Sequence, residues 1–289
     1  MLLETVSVFC TIGLMNVAQL TLNGIKIHYS IAGVGPAALL VHGHASSKAI
    51  WARIVADYLG RHYRCYLLDL PGHSESDKPL ASWFTLENYT QLLRAFCAHI
   101  ELNNILLMAH SMGGLLGLNL ALTQPGLVER LILVAPVVDG DFVAYLDPLL
   151  LWEKWMPQPW AEYALNFYNA NLWFAAPIGL NWYAHPRMIL SASFRQAQAD
   201  FARCPVSTLL GNLRVIRQAH LSHHLPMLST PALVITGALD RVVPPSQANM
   251  VAAGAHAARL ATIPQCGHLP FDEQPDRFDE AVKAYLQIK

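Results

Sequence analysis

A doubly wound α/β fold, a mostly parallel sheet with one helical insertion, is what this 289-residue sequence predicts. Three observations carry that expectation. Short apolar runs alternate with longer helix-compatible segments, the order that builds parallel strands joined by crossover helices. Polar and reactive residue types collect just past the ends of those runs, where open parallel sheets gather their chemistry. Finally, about 95 residues between Pro136 and Pro231 hold no convincing strand, too many for a plain loop, so helices are inserted there.

Taken in order, the chain opens with "MLLETVSVFCTIGLM", apolar but short, carrying Glu4 and lacking the positive residues of a signal peptide, since the first Lys or Arg is Lys26. It is too short for a transmembrane helix. Residues 1–16 are read as an apolar leader outside the fold, with Met15 as an alternative start. From Val17, "VAQLTLNGIKIHYSIAG" alternates on both sides of Asn23-Gly24, a hairpin signal. Core strands are then expected in "AALLVHG" (37–43), "YRCYLLDLPG" (63–72), "NILLMAHS" (104–111), "RLILVAP" (130–136), "PALVITG" (231–237) and "ARLATIP" (258–264). Helices are expected over 49–60, 85–101, 112–123 and 273–287. The core is thus assigned to residues 17–138 and 226–289, and a helical cap to 139–225. Five of the 7 tryptophans (Trp152, Trp155, Trp160, Trp173, Trp182) fall in that cap, with Phe142, Tyr145, Tyr163, Phe167, Tyr168, Phe174 and Tyr183. Such a density of rings suggests an apolar pocket beneath it.

Composition narrows the function classes. Hydrophobic residues make up 54% and charged residues 13%, with a mean hydropathy of +0.31, so either much of the chain is buried or some apolar surface serves a ligand or a membrane. A net charge of -1 and no basic run exclude an electrostatic case for nucleic acid. Five cysteines, at 10, 65, 97, 204 and 266, are scattered without C-x-x-C spacing, which fits neither a zinc site nor a disulfide framework and points to a reduced, cytoplasmic setting.

The stretch "MAHSMGG" sits between a buried apolar run and a helix-forming segment, and reads as a strand-to-helix turn. A residue at the tip of so tight a turn is forced into a strained backbone, tolerable only where the neighbours two positions away are small, here Ala109 and Gly113. Ser111 occupies that tip, in the G-x-S-x-G nucleophile elbow with alanine for the first glycine. The turn lifts Ser111 clear of the sheet and aims the backbone N–H of Met112 toward whatever binds the serine. Beyond it, an acid and a histidine follow in the order Asp240, His268, each after a separate strand.

With these residues in view, the sequence resembles the α/β-hydrolase superfamily, in its capped esterase, lipase and C–C hydrolase branch. The resemblance runs from about Val17 to Ile288 and rests on "LLVHGHASSKAIW", "LLDLPGHSESDKP", "MAHSMGG", "LVITGALDRVVPP" and "IPQCGHLPFDEQP", in the family's order. It implies Ser111 as nucleophile, His268 as the general base and Asp240 as the acid that orients the imidazole. It also implies an oxyanion hole made by the backbone N–H groups of His44 and Met112. Asp139 and Asp141 compete for the acid's place, and His42, His44, His73, His110 and His256 for the base's. Asp69 is expected to tie its own loop together.

Departures from the pattern also sort the chemistry. Dehalogenases and soluble epoxide hydrolases of this fold carry aspartate where Ser111 stands. C–C hydrolases usually place Asn before the serine and Trp after the histidine, where this chain has His110 and Leu269. Arg187, Arg195 and Arg203 are read as a solvated helix face rather than a carboxylate clamp. The resemblance therefore implies a serine hydrolase of small apolar carboxylic esters, with no metal or cofactor, no nucleic-acid partner and no stable membrane insertion. C–C bond hydrolysis of a keto acid and a receptor-like binding role are the alternatives.

Overall fold

A computed structural model of the chain describes residues 15–152, 160, 162–163, 167 and 181–289. In chain order the described elements are β1 (Asn16–Leu22), β2 (Ile25–Ala32), β3 (Ala37–Val41), α1 (Ala52–Asp57), β4 (Arg64–Leu68), α2 (Leu86–His99), β5 (Ile105–His110), α3 (Met112–Thr123), β6 (Val128–Val134), α4 (Asp147–Trp152), α5 (Ala192–Ala202), α6 (Val206–Arg217), β7 (Ala232–Gly237), α7 (Pro245–Gly254), β8 (Ala258–Ile263), α8 (Pro270–Glu273) and α9 (Pro275–Leu286). The strands form one 8-stranded sheet in the order β1-β2-β4-β3-β5-β6-β7-β8. β1 and β2 form the expected hairpin, with Asn23 and Gly24 both at positive φ as a two-residue turn between twisted strands requires. From β4 across to β8 every pairing is parallel.

Why these runs become central strands is visible in their burial. Leu39 and Val41, Leu107 and Ala109, Leu131 and Leu133, and Ala232 and Val234 enter one apolar cluster. Their alternating neighbours Ala38 and Leu40, Leu106 and Met108, Ile132 and Val134, and Leu233 and Ile235 enter a second on the opposite face. Helices α2, α3 and α7 cover the first face and α1 and α9 the second. α2 starts where Thr85 Oγ1 accepts the Asn88 N–H (3.1 Å), an N-cap that satisfies one otherwise unpaired donor. α3 is buried on nearly all sides, which is why its sequence lacks a polar stripe.

Three features differ from the sequence expectation. β6 begins at Val128 and β1 at Asn16, each earlier than expected. α7 was hidden by Pro244-Pro245, yet proline is at home in the first turn of a helix, where its missing N–H costs nothing. In the inserted region, where the sequence suggested rings over an apolar pocket, Tyr145, Trp160, Tyr163 and Phe167 are exposed. Phe142 packs onto the core, and Tyr183 is buried and Trp182 half-buried against Phe194 of α5. Residues 1–14, Trp155, Tyr168, Trp173 and Phe174 lie outside the described residues. No helix among the described residues is long and apolar enough to cross a membrane.

Candidate active site

Ser111 follows β5 directly and caps α3 with φ 55° and ψ −119°, a backbone that an L-residue holds only under constraint. The constraint is explicit. Its N–H donates to Val134 O on β6 (2.9 Å), and its carbonyl accepts from Leu115 (3.2 Å) in α3 and from Val137 (3.2 Å). Small residues let the turn close, because a Cβ on Gly113 would lie 2.4 Å from His42 O and one on Gly114 would lie 2.9 Å from Pro136 Cα. Gly113→Ala is therefore expected to destabilise the fold by about 1–3 kcal/mol, read as a lowered urea midpoint with unchanged slope. An unchanged midpoint would mean the elbow is not packed against β3 as described.

His268 and Asp240 meet across the ends of β8 and β7. His268 Nδ1 lies 2.8 Å from Asp240 Oδ2. An ionised carboxylate only accepts, so the imidazole proton sits on Nδ1 and Nε2 presents a lone pair. Asp240 is held in turn by Val242 N–H (2.8 Å) and Val243 N–H (2.9 Å), both donating to its Oδ1. Ser111, Asp240 and His268 are all buried. The His268 carbonyl accepts from His110 Nε2 (3.0 Å), and the two rings stand 4.7 Å apart, which ties the histidine's loop to the strand that carries Ser111.

A third loop, after β3, lies against the serine. A Cβ on Gly43 would sit 2.9 Å from Ser111 Cβ, so only glycine lets this backbone pass. The backbone N–H groups of His44, next in this loop, and Met112, next after Ser111, find no acceptor among the described residues. One of these donors thus follows Ser111 directly, and the other follows Gly43, whose backbone passes close to the serine.

A family model described as the alpha/beta hydrolase fold matches residues 36–275. The chain belongs to that family. A pimeloyl-[acyl-carrier protein] methyl ester esterase of Xanthomonas campestris pv. campestris is 29% identical over 260 residues, covering 90% of this chain and 98% of the relative. The solved structure of a hydrolase from Pseudomonas aeruginosa PA01 superposes with a TM-score of 0.80 at 25% identity, covering 94% of this chain and 98% of that one. A meta-cleavage product hydrolase from Pseudomonas fluorescens IP01 shares the fold with a TM-score of 0.75 at 19% identity, covering 93% of this chain and 97% of its own. Fold and esterase relatives together make the chain a hydrolase.

In this α/β-hydrolase two neutral histidines brace the loop that carries His44. His42 Nδ1 donates to Gly43 O (2.8 Å) while its Nε2 accepts the Leu70 N–H (3.0 Å). His73 Nδ1 donates to Pro71 O (3.0 Å), and its Nε2 accepts the N–H of Ala45 (3.2 Å), a residue at positive φ. Burial keeps both uncharged, holding His42 down to about 4 and His73 well below its ordinary value. The Asp69 carboxylate accepts the Lys48 backbone N–H (2.9 Å) and pairs with its ammonium, so it fastens the segment after β3 rather than its own loop as expected. A network reaching into the inserted segment adds Tyr89 to Asn212 (2.7 Å) and Ser47 to buried Asp200 (2.7 Å). Asn212 and Asp200 escape a reading of the sequence because these partners, Tyr89 and Ser47, lie 123 and 153 residues away.

The competing residues go elsewhere. Asp139 accepts from Ser222 N–H (3.0 Å), and Asp141 pairs with Arg217 (3.1 Å). Arg187, Arg195 and Arg203 are exposed. A groove of about 440 Å³ lined by Arg130, His256, Arg259 and Tyr285 lies at the amino ends of β6–β8, the opposite end of the sheet from Ser111.

Behind His268, burial raises the Asp272 carboxyl to about 7, with Ser193 and Arg53 opposing. A carboxyl raised on folding binds more protons folded than unfolded, so its penalty grows as pH climbs from about 4 to about 7. Asp272→Asn is expected to gain stability over wild type across that window, by up to about 1.4 kcal/mol per pH unit, and to gain nothing further above it. Parallel urea midpoints of both proteins from pH 4 to 8 measure this, and a pH-independent difference would contradict it.

Proposed function

We propose that the protein hydrolyses carboxylic esters through an acyl-enzyme. Ser111 Oγ attacks the ester carbonyl carbon as its proton passes to His268 Nε2, and Asp240 stabilises the resulting imidazolium. The tetrahedral oxyanion is met by the N–H groups of His44 and Met112. Collapse expels the alcohol, which takes the proton from His268. Water then attacks the acyl carbon, gives its proton to His268, and the acid leaves as Ser111 recovers its hydrogen.

The observation that supports this reading most is the 2.8 Å contact between His268 Nδ1 and Asp240. The bond from Nδ1 to Asp240 leaves Nε2 free to accept a proton. A carboxylic ester is also the bond named for the pimeloyl-[acyl-carrier protein] methyl ester esterase relative. Serine chemistry of this kind needs no metal, and a small apolar ester is the substrate class proposed, in the cytoplasm.

The test is turnover of p-nitrophenyl esters from acetate to long chains, alongside methyl esters, by wild type and Ser111→Ala. Multiple turnovers per protein with a chain-length optimum are expected. A folded protein that binds these esters without turnover, or cleaves only a vinylogous keto acid, would replace the esterase reading by the receptor or the C–C hydrolase.

A further inference from the structure

The peptide that carries His268 is clasped to the chain returning from the inserted segment. Glu273, at the end of α8, accepts the Gly267 N–H with Oε1 (2.7 Å) and the Ala184 N–H with Oε2 (2.7 Å). His268 N–H donates to Trp182 O (2.8 Å). Contact between these strands of backbone is close on every side. A Cβ on Gly267 would fall 2.7 Å from Ala184 N, 2.7 Å from Glu273 Oε1 and 2.8 Å from Trp182 O. Residues 182–184 are themselves fastened to the insertion, since Trp182 and Tyr183 both pack on Phe194 of α5, at ring separations of 6.5 and 6.2 Å.

From this geometry we infer that Glu273 is a positioning residue for His268, making the seating of residues 182–184 a condition for a correctly placed general base. The inference rests on the ester-hydrolase reading of Ser111 and His268. A carboxylate suits the task because both of its oxygens accept, and each takes one backbone N–H of a different segment. The half-buried carboxyl is pushed up by burial, while the N–H groups of Ala184, Gly267 and His185 oppose that shift and favour the ionised form. Among the described residues the other ties of His268 are its carbonyl, which accepts from His110 Nε2, and its ring Nδ1, which meets Asp240. Loss of Glu273 takes the acceptor from the Gly267 N–H, one residue before the imidazole, and misplacement of a catalytic group by about 1 Å can cost about 10²-fold in rate.

Glu273→Gln keeps size and shape but can accept only one of the two protons, turning an amide N–H against the other. Glu273→Asp keeps both acceptors on a stem too short to span them, and carries the test if the glutamine variant does not fold. For each, kcat and KM on the best ester, the pH profile of kcat/KM, and the low-field proton resonance of His268 Nδ1–H are measured. We expect kcat to fall about 10- to 100-fold with KM within about threefold. The resonance should shift or broaden, and the limb of the pH profile assigned to His268 should move.

Wild-type kcat and resonance in both variants, a loss of thermal stability alone, or a rise confined to KM would overturn the inference. Failure of the underlying reading looks different. It would show as turnover that survives Ser111→Ala in otherwise wild-type protein.

Discussion

Ser111→Ala is expected to lower turnover of the best p-nitrophenyl ester by about 10⁴-fold or more, with the urea midpoint unchanged. The size of the effect follows from the proposed role, because without Oγ no acyl-enzyme forms and only the oxyanion donors and binding act on the substrate. The unchanged stability follows from the structure. Ser111 is held by its backbone, through Val134, Leu115 and Val137, and its hydroxyl makes no hydrogen bond among the described residues. Alanine at φ 55° carries much the same backbone cost as serine. Initial rates and denaturation curves on the same preparations check both halves. Retained turnover sinks the nucleophile assignment.

Asp240→Asn is expected to cost about 10⁴-fold in kcat by forcing the wrong imidazole tautomer. The Val242 and Val243 N–H groups already point at one oxygen of residue 240, and an amide oxygen would stay there to accept them. Its NH₂ group would then face His268 Nδ1, so that nitrogen must accept and the ring proton moves to Nε2. A protonated Nε2 cannot take the serine's proton. Asp139→Asn is the control, expected to change kcat less than about twofold, since among the described residues its Oδ1 accepts the Ser222 N–H alone and an amide oxygen can do the same. Damage in the Asp139 variant with activity kept in the Asp240 variant would reverse the acid assignment.

Much of the arrangement was legible along the chain because it is encoded locally. Strands buried on both faces read as continuous apolar runs, and the turns that follow them carry the reactive residues, so Ser111, Asp240 and His268 could be named with their strands. The small residues around Ser111 announce the elbow, since only they fit against His42 O and Pro136. The cap was harder. A count of aromatic rings suggested a pocket, but among the described rings Tyr183 is buried, Phe142 and Trp182 are half-buried, and Tyr145, Trp160, Tyr163 and Phe167 are exposed. Ring content alone carries no direction, and without a regular 3.6-residue stripe it does not say which face is inward.

By itself the sequence determined the fold class, most of its strands and the elbow at Ser111, because periodicity, turn chemistry and local sterics act over a few residues, and its resemblance to a family supplied the roles expected of Asp240 and His268. Only the tertiary structure pairs His268 with Asp240 rather than Asp139, by the 2.8 Å contact between them. It alone found that His73 holds Ala45, and that Glu273 joins Gly267 to Ala184, 83 residues upstream of Gly267 in the numbering. Hydrogen bonds of that kind depend on where packed elements bring distant backbones together, and no local pattern in the chain records it.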